Sequence, residues 1–220
     1  RLAPSGVRFC ALEEGELVRV KTNLPGQFSV YNALAAISCA RLLGVSLADA
    51  AAALETAHGA KGRVEPVPTD GDYSIFIDYA VTPDAIENVL TTLRGIAPKR
   101  LVMLFGAGGD RDRKKRPIMG KLSADIADFV IVTSDNPRTE DPMSIIEEIL
   151  PGVRAGKAPY KVICDRPEAI RWAIDHHEPG DVILLCGKGH EDYQIIGHEK
   201  IHMDEREIVA DYLAERAKRT

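Results

Sequence analysis

The feature of this sequence that most constrains its fold is the alternation, from residue 74 onward, of short apolar runs with helix-like segments. Five apolar runs recur, at residues 74–78, 101–105, 129–134, 161–164 and 181–186. They are nearly continuous in apolar residues, which is typical of parallel strands buried on both faces. We therefore predict one α/β domain over residues 61–220, with a mainly parallel, doubly wound sheet of five or six strands.

Helix starts are marked between these runs. Thr82 and Asp141 each precede a proline, the pattern of a capping side chain followed by proline at the first helical position. Asp204 followed by Glu207 predicts a capping box.

The first 60 residues have a different pattern. Residues 7–20 predict a β-ribbon, and residues 31–43 and 46–57 predict a helical hairpin with Ser46 as a cap. Residues 58–63 contain two glycines and no apolar periodicity, which favours a hinge. A ribbon and two helices bury little surface, so residues 1–60 are expected to be the tail of a larger domain.

Composition excludes several classes of protein. The 220 residues carry 28 Lys and Arg against 33 Asp and Glu, a net charge of −5, which does not favour nucleic-acid binding. No apolar run is long enough to span a membrane and the first residues do not resemble a signal peptide, so a cytoplasmic protein is expected. The four cysteines are widely spaced, with three in apolar runs, and are interpreted as buried thiols.

Polar and glycine-rich segments follow the predicted strands, where ligands bind in open α/β sheets. These segments are residues 78–83, 106–113, 135–142 and 187–192. The glycine loop fails the dinucleotide pattern because its third glycine position is Arg111. The basic residues around 111–116 oppose a helix dipole, so they indicate either an anionic ligand or a solvated charged face.

Other readings of single segments also stay open. Residues 135–138 alone could form a turn, and residues 187–191 could form a loop with a surface salt bridge. Cys186 and His190 lack further ligands at useful spacing for a metal. The sequence contains no P-loop, no Gly-x-Ser-x-Gly elbow and no His-Glu-x-x-His motif.

Taken in order, six segments resemble the Mur ligases of peptidoglycan synthesis. The segments are 26–36, 62–65, 78–85, 106–116, 133–142 and 187–194. The resemblance implies that residues 1–60 are the end of a central ATP-binding domain, without its P-loop, and that residues 61–220 are the C-terminal ligase domain that binds the amino acid.

The resemblance also implies a reaction. In this family ATP, with Mg²⁺, activates the terminal carboxylate of a UDP-N-acetylmuramoyl dipeptide, and the amine of the incoming amino acid then forms an amide. The family's magnesium ligands and carbamoylated lysine would lie upstream of Arg1, so no catalytic or metal-binding residue is assigned here. The chain alone is expected to be an inactive monomer.

The resemblance further assigns substrate contacts. The motif at 135–138 is similar to that of members adding meso-diaminopimelate to UDP-N-acetylmuramoyl-L-alanyl-D-glutamate. The implied diaminopimelate contacts are Arg111, Asp135, Asn136, Pro137, Arg138, Gly187 and Glu191. Two arginines can hold a carboxylate by bidentate hydrogen bonds, and Glu191 with the Asn136 carbonyl can accept from an ammonium group.

The implied ATP contacts are Asn32, Arg63, Asp78 and Thr82. Val81 and Ser29, on the same side, stand where the family usually has His and Asn. The competing hypotheses are a non-catalytic amino-acid-binding module, a lysine-adding Mur ligase and the related folate polyglutamylating ligase, which the 135–138 motif disfavours.

Overall fold

A computed structural model describes residues 1–219, and the chain divides into two compact units, Arg1–Ala60 and residues 61–220. The first unit pairs a three-stranded antiparallel sheet with two helices. Its elements are β1 (Leu2–Ala3), β2 (Gly6–Glu13), β3 (Glu16–Thr22), α1 (Gln27–Leu42) and α2 (Leu47–Leu54). Ser46 caps α2 by accepting a hydrogen bond from the Asp49 amide, as the sequence predicts.

The second unit contains six strands in one sheet, a separate hairpin and five helices. Its elements are β4 (Glu65–Val67), β5 (Ser74–Asp78), α3 (Pro83–Arg94), β6 (Leu101–Phe105), α4 (Lys115–Ile126), β7 (Phe129–Val132), α5 (Pro142–Ala155), β8 (Tyr160–Val162), α6 (Arg166–Asp175), β9 (Val182–Cys186), β10 (Tyr193–Ile196), β11 (Glu199–His202) and α7 (Glu205–Ala217). The sheet order is β4-β5-β9-β6-β7-β8, and only β4 is antiparallel. The predicted mainly parallel sheet is confirmed.

Both faces of this sheet are covered by helices, because alternate residues of each strand point to opposite sides. Phe76, Met103 and Leu184 join a core cluster that contains residues of α3, α4 and α5. Their neighbours Ile77 and Leu104 join a second cluster that contains residues of α6 and α7. The central strands β5, β6, β7 and β9 are therefore buried on both faces, which explains their continuous apolar sequence, whereas the edge strands β4 and β8 are half-buried or exposed.

The carboxyl ends of the central strands lie side by side. Asp78 at the end of β5 pairs in register with Cys186 of β9, and Cys186 pairs with Phe105 of β6. Phe105 in turn pairs with Val132 of β7. The loops that follow these four strands therefore begin at one edge of the sheet.

Of the three caps predicted for the second unit, two have the expected geometry. Thr82 accepts from the Ala85 amide at the start of α3, and Asp141 accepts from the Ser144 amide at the start of α5. Asp204 caps α7 through the Arg206 amide, but the predicted capping box is wrong because the Glu207 carboxylate contacts His202 instead.

The interpretation of the cysteines as buried thiols is wrong for two of them. Cys10 and Cys39 are exposed, Cys164 is half-buried and only Cys186 is buried. In β2, Val7 and Ala11 are buried. Successive side chains of a strand point to opposite faces, so Cys10, next to Ala11, faces outward. An apolar run predicts which of its residues are buried only when it is known which alternate positions face the core.

The predicted hinge is only partly a linker. The boundary between the units falls after Ala60, whereas Gly62 is packed within the second unit. The Gly62 carbonyl accepts from the Tyr79 amide, and a Cβ atom at Gly62 would lie 2.2 Å from the His190 nitrogen. Among residues 1–219, no helix is long and apolar enough to cross a bilayer.

Candidate functional site

A cavity of about 100 Å³ opens at the carboxyl edge of the sheet, between the loops that follow β6, β7 and β9. Six of the seven residues predicted to contact the amino acid line it; they are Arg111, Asp135, Asn136, Arg138, Gly187 and Glu191. Pro137 is buried behind them and is not among the lining residues. The structure thus brings together side chains that are up to 80 residues apart in the sequence.

Asn136 and Glu191 are joined directly. The Asn136 amide nitrogen donates to Glu191 Oε2 at 2.9 Å. The buried Lys188 ammonium donates to the Asn136 Oδ1 and to the same Glu191 oxygen, both at 2.8 Å. Burial alone would raise the pKa of Glu191, but hydrogen bonds from Lys188 and Asn136 outweigh it and lower that pKa, so the carboxylate is ionised at neutral pH.

Arg138 is held in an unusual backbone conformation. Its φ of 52° lies in the left-handed region, which is uncommon for residues other than glycine. The Arg138 amide donates to the Ile195 carbonyl at 3.0 Å, and its own carbonyl accepts from Gly197 at 2.7 Å. The guanidinium donates to the Gly109 carbonyl at 2.7 Å, so both ends of the residue are fixed.

Arg111 approaches the same cavity from the glycine loop. It is exposed, and its guanidinium donates to the Asp110 carbonyl at 3.0 Å. A Cβ atom at Gly108 would lie 2.8 Å from Arg138 Nη1 and 3.8 Å from Arg111 Cγ, so the two arginines flank this glycine. Two positively charged side chains therefore line the same cavity.

Asp135 and the glycines shape the floor of the cavity. Asp135 Oδ1 accepts from the Asn136 amide at 2.6 Å, which holds the loop after β7. Gly187 has φ 116°, and a Cβ there would lie 2.6 Å from Asp135 Oδ2. At Gly109 a Cβ would lie 1.9 Å from the Pro137 carbonyl, so this glycine is needed where two loops touch.

The basic run that precedes α4 is largely neutralised within the protein. Arg116 is buried and forms ion pairs with Glu140 and Glu148, and Arg113 pairs with Glu148 as well. The Arg116 guanidinium lowers the pKa of Glu140 to about 2. Arg113 and Arg116 thus have carboxylate partners within the protein, whereas Arg111 and Lys115 of the same run line the cavity.

The four predicted ATP contacts do not form one cluster within a single unit. Asp78 is buried and accepts from the amides of Val64 and Ala80, both at 2.9 Å. Burial raises the pKa of Asp78 despite these bonds. Thr82 serves as a helix cap, whereas Arg63 is exposed with its guanidinium 5.5 Å from the Tyr79 ring centre.

Of the remaining nucleotide-side residues, two belong to the first unit and one to the second. Asn32 is exposed on α1 of the first unit. Ser29, on the same helix, is buried and donates to the Pro25 carbonyl at 2.6 Å. Val81 belongs to the second unit and lines the cavity, and its carbonyl accepts a hydrogen bond from Lys115 at 2.8 Å.

Sequence reasoning missed three supports of the site. Lys188 is one, and its charge gave no signal of burial. The second is the β10–β11 hairpin, from which the Gln194 side chain donates to the Asp135 carbonyl at 2.6 Å. The third is the buried Arg166, which donates to the carbonyls of Ser134 and Cys186 at 3.1 and 2.8 Å. Arg166 thereby joins the ends of two loops that carry site residues.

Glu205 completes this internal support. Arg166 Nε donates to Glu205 Oε1 at 2.9 Å, and both side chains are fully buried. Within residues 1–219, no group of three or more His, Cys, Asp or Glu side chains is arranged to hold a metal ion. Cys186 donates instead to the Ala80 carbonyl at 3.2 Å.

Comparison with known proteins places this geometry in a family. Residues 62–189 match the family described as "Mur ligase, glutamate ligase domain". The UDP-N-acetylmuramoyl-L-alanyl-D-glutamate–2,6-diaminopimelate ligase of Caldanaerobacter subterraneus subsp. tengcongensis is 50% identical over 214 residues, which are 97% of this chain and 44% of that protein. The enzyme of the same name from Nostoc sp. is 50% identical over 217 residues, 98% of this chain and 44% of the relative.

A solved structure shows the same relationship. A ligase of that name superimposes with a TM-score of 0.79 at 35% identity, covering 98% of this chain and 44% of the other. The chain therefore spans less than half the length of the proteins that it matches. Because the family match covers more than half of the chain and contains all six strands of the central sheet, this chain belongs to the Mur ligase family.

Proposed function

We propose that this chain forms the amino-acid-binding part of an ATP-dependent ligase that adds meso-diaminopimelate to UDP-N-acetylmuramoyl-L-alanyl-D-glutamate. The observation that carries the proposal is the pair Arg111 and Arg138 beside the Glu191 carboxylate in one cavity. The names of the two relatives at 50% identity support the same substrate.

The cavity suits a ligand end that carries both a carboxylate and an ammonium group. Arg111 and Arg138 can hold the carboxylate by charge-assisted hydrogen bonds. The ammonium acceptor is Glu191 Oε1, whose contact with the Tyr193 hydroxyl is long, at 3.4 Å. The Asn136 side-chain oxygen does not serve, because it already accepts from Lys188 and from the Ile195 amide. We therefore assign the ammonium contact to Glu191 in this proposal.

In this proposal, activation of the acceptor carboxylate by ATP and Mg²⁺ also requires residues outside this chain. When bound, ATP would supply the phosphoryl group that activates the acceptor carboxylate. Arg63 is exposed and its charge suits a phosphate, whereas Asp78 and Thr82 have backbone partners of their own. Asn32 would contact the base from the first unit. We place Mg²⁺ on residues outside this chain, because the described residues offer no ligand cluster.

The proposal includes the domain assignment of the two units. Residues 1–60 would belong to the ATP-binding domain, and residues 61–220 would be the domain that delivers the amino acid. The enzyme would act as a monomer in the cytoplasm, the compartment that supplies ATP.

Calorimetric titration of the chain with meso-diaminopimelate and 1,5-diaminopentane tests the substrate assignment. We expect diaminopimelate to bind, and 1,5-diaminopentane, which has two ammonium groups and no carboxylate, to bind far more weakly because it leaves both arginines without a carboxylate. Equal binding of the two compounds would contradict the assignment.

A second assay separates a ligase from a binding module. The protein in its full encoded length is incubated with ATP, Mg²⁺, the UDP-N-acetylmuramoyl dipeptide and diaminopimelate, and the UDP-linked tripeptide is quantified. We expect product that depends on all four components. Binding of diaminopimelate without any product would favour a non-catalytic module.

A further inference from the structure

Lys188 is a fully buried lysine, which is rare unless the charge is paired. Its ammonium group contacts the Asn136 oxygen and Glu191 Oε2, and lies 5.2 Å from the Tyr193 ring centre. An ammonium group has three donors and no acceptor, so its two oxygen partners must present lone pairs to it. The lysine therefore dictates how its neighbours are turned.

The first neighbour is Asn136. Its side-chain oxygen accepts from Lys188 and from the Ile195 amide, at 2.8 and 2.9 Å. Rotating the amide by half a turn would point its NH₂ group at these two donors, which is unfavourable. The NH₂ group is thus fixed toward Glu191 and keeps one further hydrogen for another acceptor.

The second neighbour is Glu191, whose Oε2 accepts from both Lys188 and Asn136. The same cavity is lined by three further cations: Arg111, Arg138 and Lys115, of which Lys115 donates to the Val81 carbonyl. Pairing with Lys188 balances the charge of Glu191 internally. The two guanidinium groups then keep their charge for a ligand.

We propose that Lys188 is a positioning residue of the amino-acid site, which orients the Asn136 amide and holds Glu191 away from Arg111 and Arg138, so that the cavity selects a ligand end bearing both a carboxylate and an ammonium group. The inference rests on the proposed function for the identity of that ligand. Lys188 itself has no role in bond formation.

The first test needs no ligand. The carboxyl group of Glu191 is titrated by NMR in the wild-type chain and in Lys188→Met, which keeps the length of the side chain and removes its charge. We expect the pKa of Glu191 to rise in the variant, because a charge-assisted hydrogen bond that stabilises the ionised form is lost. An unchanged titration would overturn the proposal.

The second test is a double-mutant cycle on the affinity for meso-diaminopimelate. Lys188→Met should weaken binding on the order of 10- to 100-fold, the usual range when a buried charged group loses its partner. In a Glu191→Gln background the same change should have little further effect, because its main target is gone. Equal losses in both backgrounds would mean that Lys188 only packs the core, and would overturn the proposal.

Two controls keep the outcomes distinct. Lys200→Met removes an exposed lysine whose ammonium group lies 3.6 Å from the Tyr193 ring centre and which does not line the cavity, so binding should be unchanged. If Lys188→Met does not fold, the Lys188→Met, Glu191→Gln double variant is compared with Glu191→Gln alone. This double variant should fold because it contains no buried carboxylate without a partner. Failure of the wild-type chain to bind diaminopimelate would count against the proposed function, and the ligand-free titration would still decide the role of Lys188.

Discussion

At the scale of single residues, Arg138 combines a strained backbone with a side chain that reaches into the cavity. Its left-handed φ is maintained by two backbone hydrogen bonds to the β10–β11 hairpin. Strain of this kind persists only where the surroundings enforce it, and it is concentrated at functional positions. The residue is therefore a sensitive point at which to test ligand recognition.

Arg138→Ala should reduce the use of diaminopimelate strongly and the use of lysine far less. The change removes one charge-assisted pair to the distal carboxylate, which typically costs about 2–5 kcal/mol, and lysine never makes this contact. Steady-state kinetics of the full-length enzyme with both amino acids measures the two losses. Arg94→Ala is the matched control, since Arg94 pairs with Asp128 at the opposite edge of the sheet. Equal losses of activity with both amino acids would show that Arg138 supports the loop and does not bind the distal carboxylate.

Glu140 gives a pH-dependent contribution to stability. Its pKa is lowered from 4.5 to about 2, chiefly by the Arg116 guanidinium. A depressed pKa stabilises the folded state above the unfolded value, and this contribution disappears as the pH falls from about 4.5 to about 2. Urea unfolding should therefore show Glu140→Gln to be less stable than the wild type at pH 7, with the difference shrinking near pH 2. A difference that is independent of pH would contradict this account.

The positions of the residues proposed to contact the ligand could be predicted from the sequence, whereas their partners within the protein could not. Arg111, Asn136, Arg138 and Glu191 each follow an apolar run, so the rule for open α/β sheets places them at one edge. Lys188 sits among glycines and charged residues, and nothing local distinguishes it from a surface lysine. Its burial arises from contacts with Asn136, 52 residues away.

At the scale of elements, the same contrast separates the central sheet from the hairpin. Four of the five apolar runs became β5, β6, β7 and β9, because burial on both faces demands apolar residues throughout, whereas the fifth overlaps the edge strand β8, whose residues are exposed or half-buried. β10 and β11 are half-buried or exposed along their length, so they carry no such pattern. The sequence analysis therefore did not predict the hairpin, although its backbone forms hydrogen bonds with the backbone of Arg138 and the Ile195 amide donates to the Asn136 side-chain oxygen.

Gln194→Ala tests whether the hairpin supports the site. The Gln194 side chain donates to Ser134 Oγ at 3.0 Å and to the Asp135 carbonyl at 2.6 Å, so its loss should loosen the loop after β7. We expect faster hydrogen exchange over residues 134–138 and weaker binding of diaminopimelate. Glu199→Ala, an exposed change in β11, should alter neither. Unchanged exchange in Gln194→Ala would mean that the hairpin is passive.

At the scale of the whole molecule, the two units have separate hydrophobic clusters and carry different parts of the proposed activity. The first unit encloses a small cluster around Val20, Ile37 and Leu47, and the second contains two larger clusters on either side of its sheet. Neither unit contains a P-loop sequence.

The purified chain of 220 residues should neither hydrolyse ATP nor form an amide bond. Phosphoryl transfer requires groups that cradle the phosphates and hold Mg²⁺, and we assign these to the rest of the enzyme. A phosphate-release assay with Mg²⁺ measures the first activity, and chromatography of the UDP-linked product measures the second. Magnesium-dependent ATP hydrolysis by the pure chain would show that the proposed assignment of the two units is wrong.

The place of β9 in the sheet has a consequence for how the protein is made. β9 is the last strand of the sheet to leave the ribosome, yet it lies between β5 and β6 and pairs with both. Until residue 186 has emerged, the nascent chain holds two separate strand groups with apolar open edges, which favour association with other chains. Completion of the sheet and delivery of the 187–191 loop to the cavity then occur together. A nascent chain that ends before β9 is therefore prone to aggregation and lacks part of the proposed ligand site.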